Sequence, residues 1–255
     1  MFDRSGVAES VMRLSATGLR QIEFVDNVFN SPYSHAMALC EDLARLRHSA
    51  YLYSLELNPF HIDSALINAM GRAGFRGIGI TAESASDKVL AALGKGYGAQ
   101  SVYQAAEVVS RHNLPCVWIF MLGGPGETEE TVTETLRFAE KYIRPSDTAF
   151  FNLGVRIYPG TQLETISRRQ GVLSIHKDKM LRPVFYVSPE LDTDWMIRRV
   201  QDSLNRKMNF ISSDSIGLPF LPFIHRLAHR IGMRTPLWKY TRYVRRGLRT
   251  IGVKA

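Results

Sequence analysis

GFRGIGITAESASDKVLAALGKGYGAQSVYQAAEVVSRHNLPCVWIFMLGGPGETEETVTETLRFAEKY, residues 74–142, holds the repeat from which the fold is read. An apolar, β-branched segment, Gly77–Thr81, runs into Glu83 and Ser84, and a helical stretch carrying Val89 and Leu93 follows. The unit then repeats. Cys116–Leu122 is a near-continuous apolar run, Gly123–Glu127 is a glycine-bearing loop, and Val132, Leu136 and Ala139 share one helical face. Strands that read as continuous apolar runs are covered on both sides. Strand, helix, strand in succession predicts parallel strands joined by right-handed crossovers.

Working outward, the same unit recurs on either side. Gln21–Val25 and Tyr51–Leu57 are strand candidates upstream, and Thr148–Val155 is one downstream. A leading helix over Gly6–Ala16 aligns Val7, Val11 and Leu14, and a second aligns Leu39, Leu43 and Leu46. Gly18, Gly74 and Gly171 follow helical stretches, where a positive φ ends the helix. Glu127, Thr128, Glu129 and Glu130 suit the positive end of a helix dipole. A doubly wound nucleotide-binding sheet should carry GxGxxG after its first strand, but DNVFN follows Val25. Instead, polar residues close five successive strands: Asp26 and Asn27, Glu56 and Asn58, Glu83 and Ser84, Gly123 to Glu127, and Arg156 to Thr161. That arrangement predicts an α/β chain forming a partial (β/α) barrel with its working groups at the carboxyl ends of the strands. A barrel that opens with a helix is expected to have its first strand upstream of Met1.

Composition narrows the function classes. The 255 residues are 45% hydrophobic and 22% charged, ordinary for a globular chain. Runs such as Val117–Leu122 are far shorter than the roughly 20 residues needed to cross a bilayer, and MFDRSGVAES has no apolar leader core. A cytoplasmic location is therefore expected. Cys40 and Cys116 are the only cysteines, too few for a metal site built from three or four thiolates within this chain. The net charge of +8 is concentrated at one end. Nine Lys and Arg residues and no acid follow Asp214, which leaves the rest of the chain one unit negative. Three regions are expected: the partial barrel over 1–170, a post-barrel region over 171–214, and a mainly helical, basic amphipathic tail over 215–255.

Three stretches carry a family resemblance: residues 74–142, FNLGVRIYPGTQL at 151–163, and IEFVDNVFN at 22–30. Together they resemble the radical S-adenosylmethionine (SAM) superfamily, in particular the branch whose members often carry an upstream cobalamin-binding domain. The resemblance covers about residues 6–170. It implies SAM and a [4Fe–4S] cluster as cofactors, with cobalamin in an upstream domain. It also implies an external electron donor, cleavage of SAM to a 5′-deoxyadenosyl radical, and, in this branch, cobalamin-dependent methyl transfer. The family holds its cluster in a CxxxCxxC loop, which this sequence lacks. The expectation is that the chain begins downstream of that loop. The alternative is a cluster-less, non-catalytic barrel that serves as a binding or membrane-docking module. Methylthiotransferases acting on tRNA share the barrel, but their C-terminal RNA-binding β-barrel is not visible here.

The resemblance also assigns residues. Asp26 and Asn27 would contact the amino group of SAM; otherwise they form a turn before Pro32. Glu83 and Ser84 would reach the ribose hydroxyls and carboxylate region, with Ser84 or Ser86 alternatively a helix cap. Lys95 meets an anion or is a solvated lysine. Gly123, Gly124, Pro125 and Gly126 would pass the adenine and methionine portions, while Glu127 reads mainly as a cap. Tyr158 and Pro159 would lie beside adenine. Arg156 pairs with a carboxylate of SAM or substrate, or closes the barrel through an ion pair. Glu56 and Asn58 are placed on the substrate side.

The tail mixes its cations with bulky apolar residues. Ile224, Leu227 and Ile231 share one helical face, Tyr240, Tyr243, Val244 and Leu248 share another, and Arg242, Arg245, Arg246 and Arg249 mostly point elsewhere. Such a segment lies on an anionic membrane or packs its apolar face onto the barrel; nucleic acid is the least favoured partner. A small-molecule or lipid-like substrate fits the first reading.

Overall fold

The computed structural model describes residues 3–25, 28–46, 48–173, 183–213, 230 and 237–250. The first half alternates as expected: α1 (Arg4–Ala16), β1 (Gln21–Phe24), α2 (Tyr33–Arg45), β2 (Tyr51–Leu57), α3 (Ser64–Arg72), β3 (Phe75–Glu83), α4 (Asp87–Ala92) and α5 (Ala99–Ser110). The second half holds β4 (Cys116–Leu122), α6 (Glu129–Tyr142), β5 (Thr148–Leu153), β6 (Val155–Arg156), α7 (Gln162–Arg169), β7 (Phe185–Tyr186), α8 (Thr193–Arg206), β8 (Phe210–Ser212) and α9 (Thr241–Thr250).

Six strands form one parallel sheet in the order β1-β2-β3-β4-β5-β8. The order never reverses, so the sheet lacks the switch point of a doubly wound fold and winds as a (β/α) barrel does. All five expected strands are present. The sixth, β8, has three residues, too few for a period to be read. The expected strand Thr148–Val155 stops at Leu153, because Gly154 takes φ 77 and turns the chain outward. There β6 pairs antiparallel with β7 as a small arm beside the sheet.

Alternation assigns the two faces of the sheet. Ile78, Ile80 and Ala82 are fully buried, and Trp118 and Phe120 meet Phe138 of α6 at ring distances of 6.0 and 6.1 Å. The opposite face carries Gly77, Gly79 and Thr81, then Ile119 and Met121, then Thr148, Phe150 and Asn152. At its amino end this face is closed by Trp238. A Cβ on Gly77 would stand 3.1 Å from the Trp238 ring and 3.2 Å from Tyr53, and Thr148 Oγ1 donates to Trp238 O at 2.9 Å. The C-terminal segment therefore bridges β2, β3 and β5 at the edge away from the polar loops.

Helix α9 does not dock as the packing alternative expected. Arg245 is buried and donates to Leu204 O and Lys207 O at 3.0 Å each, and also to Phe210 O. Arg249 donates to Asn205 O at 2.9 Å. These carbonyls belong to the last turn of α8 and the chain just beyond it. A helix end leaves such acceptors without intrahelical donors and carries negative dipole charge, and two guanidinium groups supply both needs. Tyr243 and Val244 stay exposed. The alternative that packed the apolar face onto the body ignored how well arginine answers bare carbonyls. Ile224, Leu227 and Ile231 lie outside the described residues.

Burial and the neighbouring Arg249 lower the Arg245 guanidinium to about 10, so it stays charged at neutral pH. Arg245→Ala should lose about 2 kcal/mol, the cost of leaving buried carbonyls without a charged donor. Exposed Arg246→Ala should stay within about 0.5 kcal/mol of the parent. Urea unfolding of the two variants checks this. Equal stabilities would mean that the carbonyls find water instead.

Candidate functional site

The site residues sit where the strands end. At the end of β3, Glu83 adopts φ 61, the one positive φ of a non-glycine residue among the described residues. A left-handed carboxylate-bearing residue costs about 1–3 kcal/mol and persists only where its surroundings fix it. The ladder between β3 and β4 shifts register between Thr81 and Glu83, so the strand bulges as it delivers this side chain. Lys95 Nζ lies 2.6 Å from Glu83 Oε1. Two left-handed glycines, Gly94 and Gly96, swing that lysine back over the strand end. Tyr97 fastens the same turn, its hydroxyl donating to Thr81 O at 3.1 Å.

Glu56 ends β2 beside this pair. Burial raises its carboxyl above the usual range, Glu83 and Glu23 add to the rise, and Lys95 opposes it. Glu83 and Glu56 thus gather near Lys95 at the carboxyl ends of β3 and β2, with Glu23 of β1 close enough to act on Glu56. Such a group can accept hydroxyl or ammonium hydrogens, while Lys95 can meet an anion. Ser84 faces elsewhere. It is fully buried; its hydroxyl meets Thr135 Oγ1 at 3.0 Å and accepts from Ser86 N at 3.1 Å, tying the strand end to α6.

The glycine loop after β4 is held by a buried carboxylate. Glu127 accepts from Gly123 N at 3.1 Å and from Thr131 Oγ1 at 3.0 Å. The capping role expected of it belongs to Thr128, whose side chain accepts from Thr131 N. Gly123 sits at φ 93, a left-handed backbone that any side chain would strain, and it packs against Gly154 and Val187. Gly124 packs against Leu93, and Gly126, at φ 76, against Ala92. Pro125 lies between them, buried. Gly123 O accepts from Ser188 N at 2.9 Å. Thus the loops after β3, β4 and β5 and the 183–188 segment are joined at one edge.

The arm after β5 forms the rim. Arg156 lies over the Tyr158 ring at 4.8 Å; both are exposed, as is Pro159. Asp26 and Asn27 lie outside the described residues. Sequence reasoning missed the Ser188 contact, and it did not settle that Lys95 pairs with Glu83. The GKGYG turn held the signal for the second, since glycines flanking a lysine permit a reversal. No local signal marks the first, which joins residues 65 positions apart.

The donor set fits an organic zwitterion better than a metal. Among the described residues no cluster of three or more His, Cys, Asp or Glu side chains is placed to hold a metal ion. Cys40 on α2 and Cys116 on β4 are fully buried. Burial pushes the Cys40 thiol up to about 12 and the Cys116 thiol well above its ordinary value. An iron–sulfur cluster needs several thiolates, so these two residues do not fit one.

Fold and site together define a parallel α/β chain whose polar groups and glycine loop line the carboxyl edge of a barrel-wound sheet. The chain belongs to the radical SAM superfamily, whose family model matches residues 9–139. It is 29% identical over 150 residues to an uncharacterized methyltransferase of Pyrococcus horikoshii, covering 57% of this chain and 31% of that protein. It is 26% identical over 180 residues to the tRNA-2-methylthio-N(6)-dimethylallyladenosine synthase of Erythrobacter litoralis, covering 69% and 34%. The chain thus spans about a third of the length of these curated relatives. Its fold resembles that of the radical SAM methyltransferase TsrM of Kitasatospora setae, solved with cobalamin and a [4Fe–4S] cluster bound. The TM-score is 0.77 at 18% identity, over 97% of this chain and 55% of that one. TsrM with tryptophan substrate and a SAM analogue gives 0.76. Among the described residues no helix is long and apolar enough to cross a membrane.

The loop carboxylate makes the site pH-sensitive. Burial pushes Glu127 up to about 7 from an ordinary 4.5, against the lowering effect of Thr131, Gly123 and Gly124. Because the folded value lies above the unfolded one, the proton's contribution to stability is complete below about pH 4.5 and is lost as pH rises through 7. The stability of the parent relative to Glu127→Gln should therefore fall by about 2.5 kcal/mol between pH 5 and pH 8. Urea denaturation at both pH values measures it. A difference that does not change with pH would mean that the carboxyl is not buried as described.

Proposed function

We propose that this chain binds SAM along its carboxyl edge and serves as the catalytic barrel of a SAM-dependent methyltransferase of the radical class. The observation that carries this reading is the Glu83–Lys95 pair standing beside the Gly123–Gly126 loop. In this reading the Glu83 carboxylate accepts the two vicinal ribose hydroxyls, and Lys95 turns from Glu83 to the SAM carboxylate. Asp26 and Asn27 accept from the amino group. The glycine loop lets backbone groups approach the methionine and adenine portions, and Tyr158, with Arg156 stacked on it, covers the adenine rim. Ser84 and Glu127 act behind these groups by fixing the strand end and the loop.

SAM, once bound, supplies a transferable methyl group or, on one-electron cleavage, a radical that abstracts hydrogen. A [4Fe–4S] cluster for that cleavage would draw its thiolates from residues other than Cys40 and Cys116. Methyl transfer is favoured by the likeness to the Pyrococcus horikoshii methyltransferase, and cobalamin dependence by the likeness to TsrM. The substrate would lie over Ile119, Met121 and Phe150, partly exposed apolar side chains flanked by Asn152 and Glu56.

Two measurements test the proposal. In calorimetric titration with SAM, Glu83→Gln should weaken binding about tenfold or more, as loss of a charged acceptor requires, while Glu127→Gln weakens it less. The reverse order would move the ribose site away from β3. After anaerobic reconstitution, iron and sulfide on the chain should stay well below one cluster per molecule. A stoichiometric cluster would show that Cys40 and Cys116 leave their buried positions.

A further inference from the structure

The edge of the sheet opposite the SAM site carries a second feature. A groove of about 600 Å³ opens where β3 and β4 begin, between the end of α3 and the end of α5. Phe75 and Leu114 form its apolar floor, and Arg72, Arg76, His112 and Lys239 surround it. Among the described residues no carboxylate lines it. The nearby acids are engaged: Glu107 pairs with Arg111, and Asp147 takes two hydrogen bonds of 2.8 Å from Arg144. Helix α3 contains no acid, and no Asp or Glu follows Asp214 in the segment that brings Lys239 here.

Three cationic side chains therefore meet there, with no carboxylate beside them among the described residues. One has an internal explanation, since Arg72 lies in the last turn of α3, where a cation suits the dipole. The other two do not. Lys239 is drawn from the far end of the chain, donates to Arg76 O and stands 5.0 Å over the Tyr53 ring. Arg76 lies 5.7 Å over the Tyr51 ring. Both cations are thus held in place by aromatic faces and not by carboxylates. Burial lowers the Lys239 ammonium, and the neighbouring Arg76 adds to the effect. Two guanidinium groups with an ammonium between apolar walls match a compact, multiply charged anion attached to an organic body.

We propose that this groove binds a phosphate-bearing ligand through Arg72, Arg76 and Lys239, at the end of the sheet remote from the SAM site. Its volume is that of a small-molecule site. The floor accommodates an apolar portion next to the phosphate, as a soluble phosphate ester or a lipid phosphate would present. Nothing in the proposed SAM chemistry uses these residues, so the site would hold or regulate the protein without taking part in the reaction.

The test uses the full chain. Inorganic pyrophosphate is titrated by calorimetry into the parent, into Arg72→Gln/Arg76→Gln, and into Arg137→Gln/Arg198→Gln, which removes two exposed cations from α6 and α8. The groove variant should bind about tenfold more weakly or worse, and the control should match the parent. Lys239→Gln should weaken binding in the same direction, with circular dichroism confirming the fold of each variant. In parallel, flotation is measured on phosphatidylcholine vesicles with and without phosphatidic acid. Flotation that needs phosphatidic acid and is lost in Arg72→Gln/Arg76→Gln supports the site and makes the lipid phosphate its source. Groove-dependent pyrophosphate binding without such flotation supports it with a soluble source. If pyrophosphate does not bind and any flotation survives in the groove variant, or if both double variants lose binding equally, the proposal is overturned.

Discussion

The geometry of the candidate site depends on one buried carboxylate. Glu127 is fully enclosed, yet it collects the N–H of Gly123 and the hydroxyl of Thr131. Desolvation of a carboxylate is unfavourable by several kcal/mol unless donors surround it, and here they do so only in part, as its raised titration shows. That cost is tolerated because of what the contact fixes. Gly123 N is the first group past β4, and Gly123 O takes Ser188 N on its other side. Removing the carboxylate would free the turn at which β4, the arm after β5 and the 183–188 segment all meet.

The same principle recurs one strand away. Glu83 occupies a backbone conformation that glycine would hold at no cost, so its side chain must justify the strain. Its partner Lys95 is delivered by a turn with glycines on both sides, and Tyr97 hangs that turn from the strand itself. The bulge, the strained residue and the returning lysine are three consequences of placing a charged pair at a strand end. Neither residue shares a helix face or a strand face with the other, so the pair exists only once the turn has formed.

This explains which parts were legible in the sequence. The strands Tyr51–Leu57 and Cys116–Leu122 were readable to the residue, because near-continuous apolar runs bounded by polar ends have one reading in a covered parallel sheet. Strand β8 was not, because three residues carry no period. The positions of Glu83 and of the Gly123–Gly126 loop followed from strand ends alone. The burial of Ser84 against Thr135 and the joining of Gly123 to Ser188 did not, since they join sites 51 and 65 residues apart. The docking of α9 is the most instructive. Hydrophobic patterning supposes that water is the best partner for arginine. At the carboxyl end of α8, Leu204 O, Asn205 O and Lys207 O offered Arg245 and Arg249 a better one.

The C-terminal segment then takes on a structural meaning that charge alone did not suggest. Trp238 closes the amino end of the sheet through Gly77 and Thr148, Arg245 closes the end of α8, and Lys239 reaches the groove between them. A parallel sheet exposes two unlike ends. The carboxyl end gathers loops that can vary and bind, while the amino end must be covered if the inner face is to stay dry. Here the cover is made from the most basic part of the chain. The cations that secure it, Arg245 and Arg249, do so by donating to backbone carbonyls at the end of α8. The proposed anion groove would then use the same chain end that covers the sheet, since Lys239, which lines it, follows directly on Trp238.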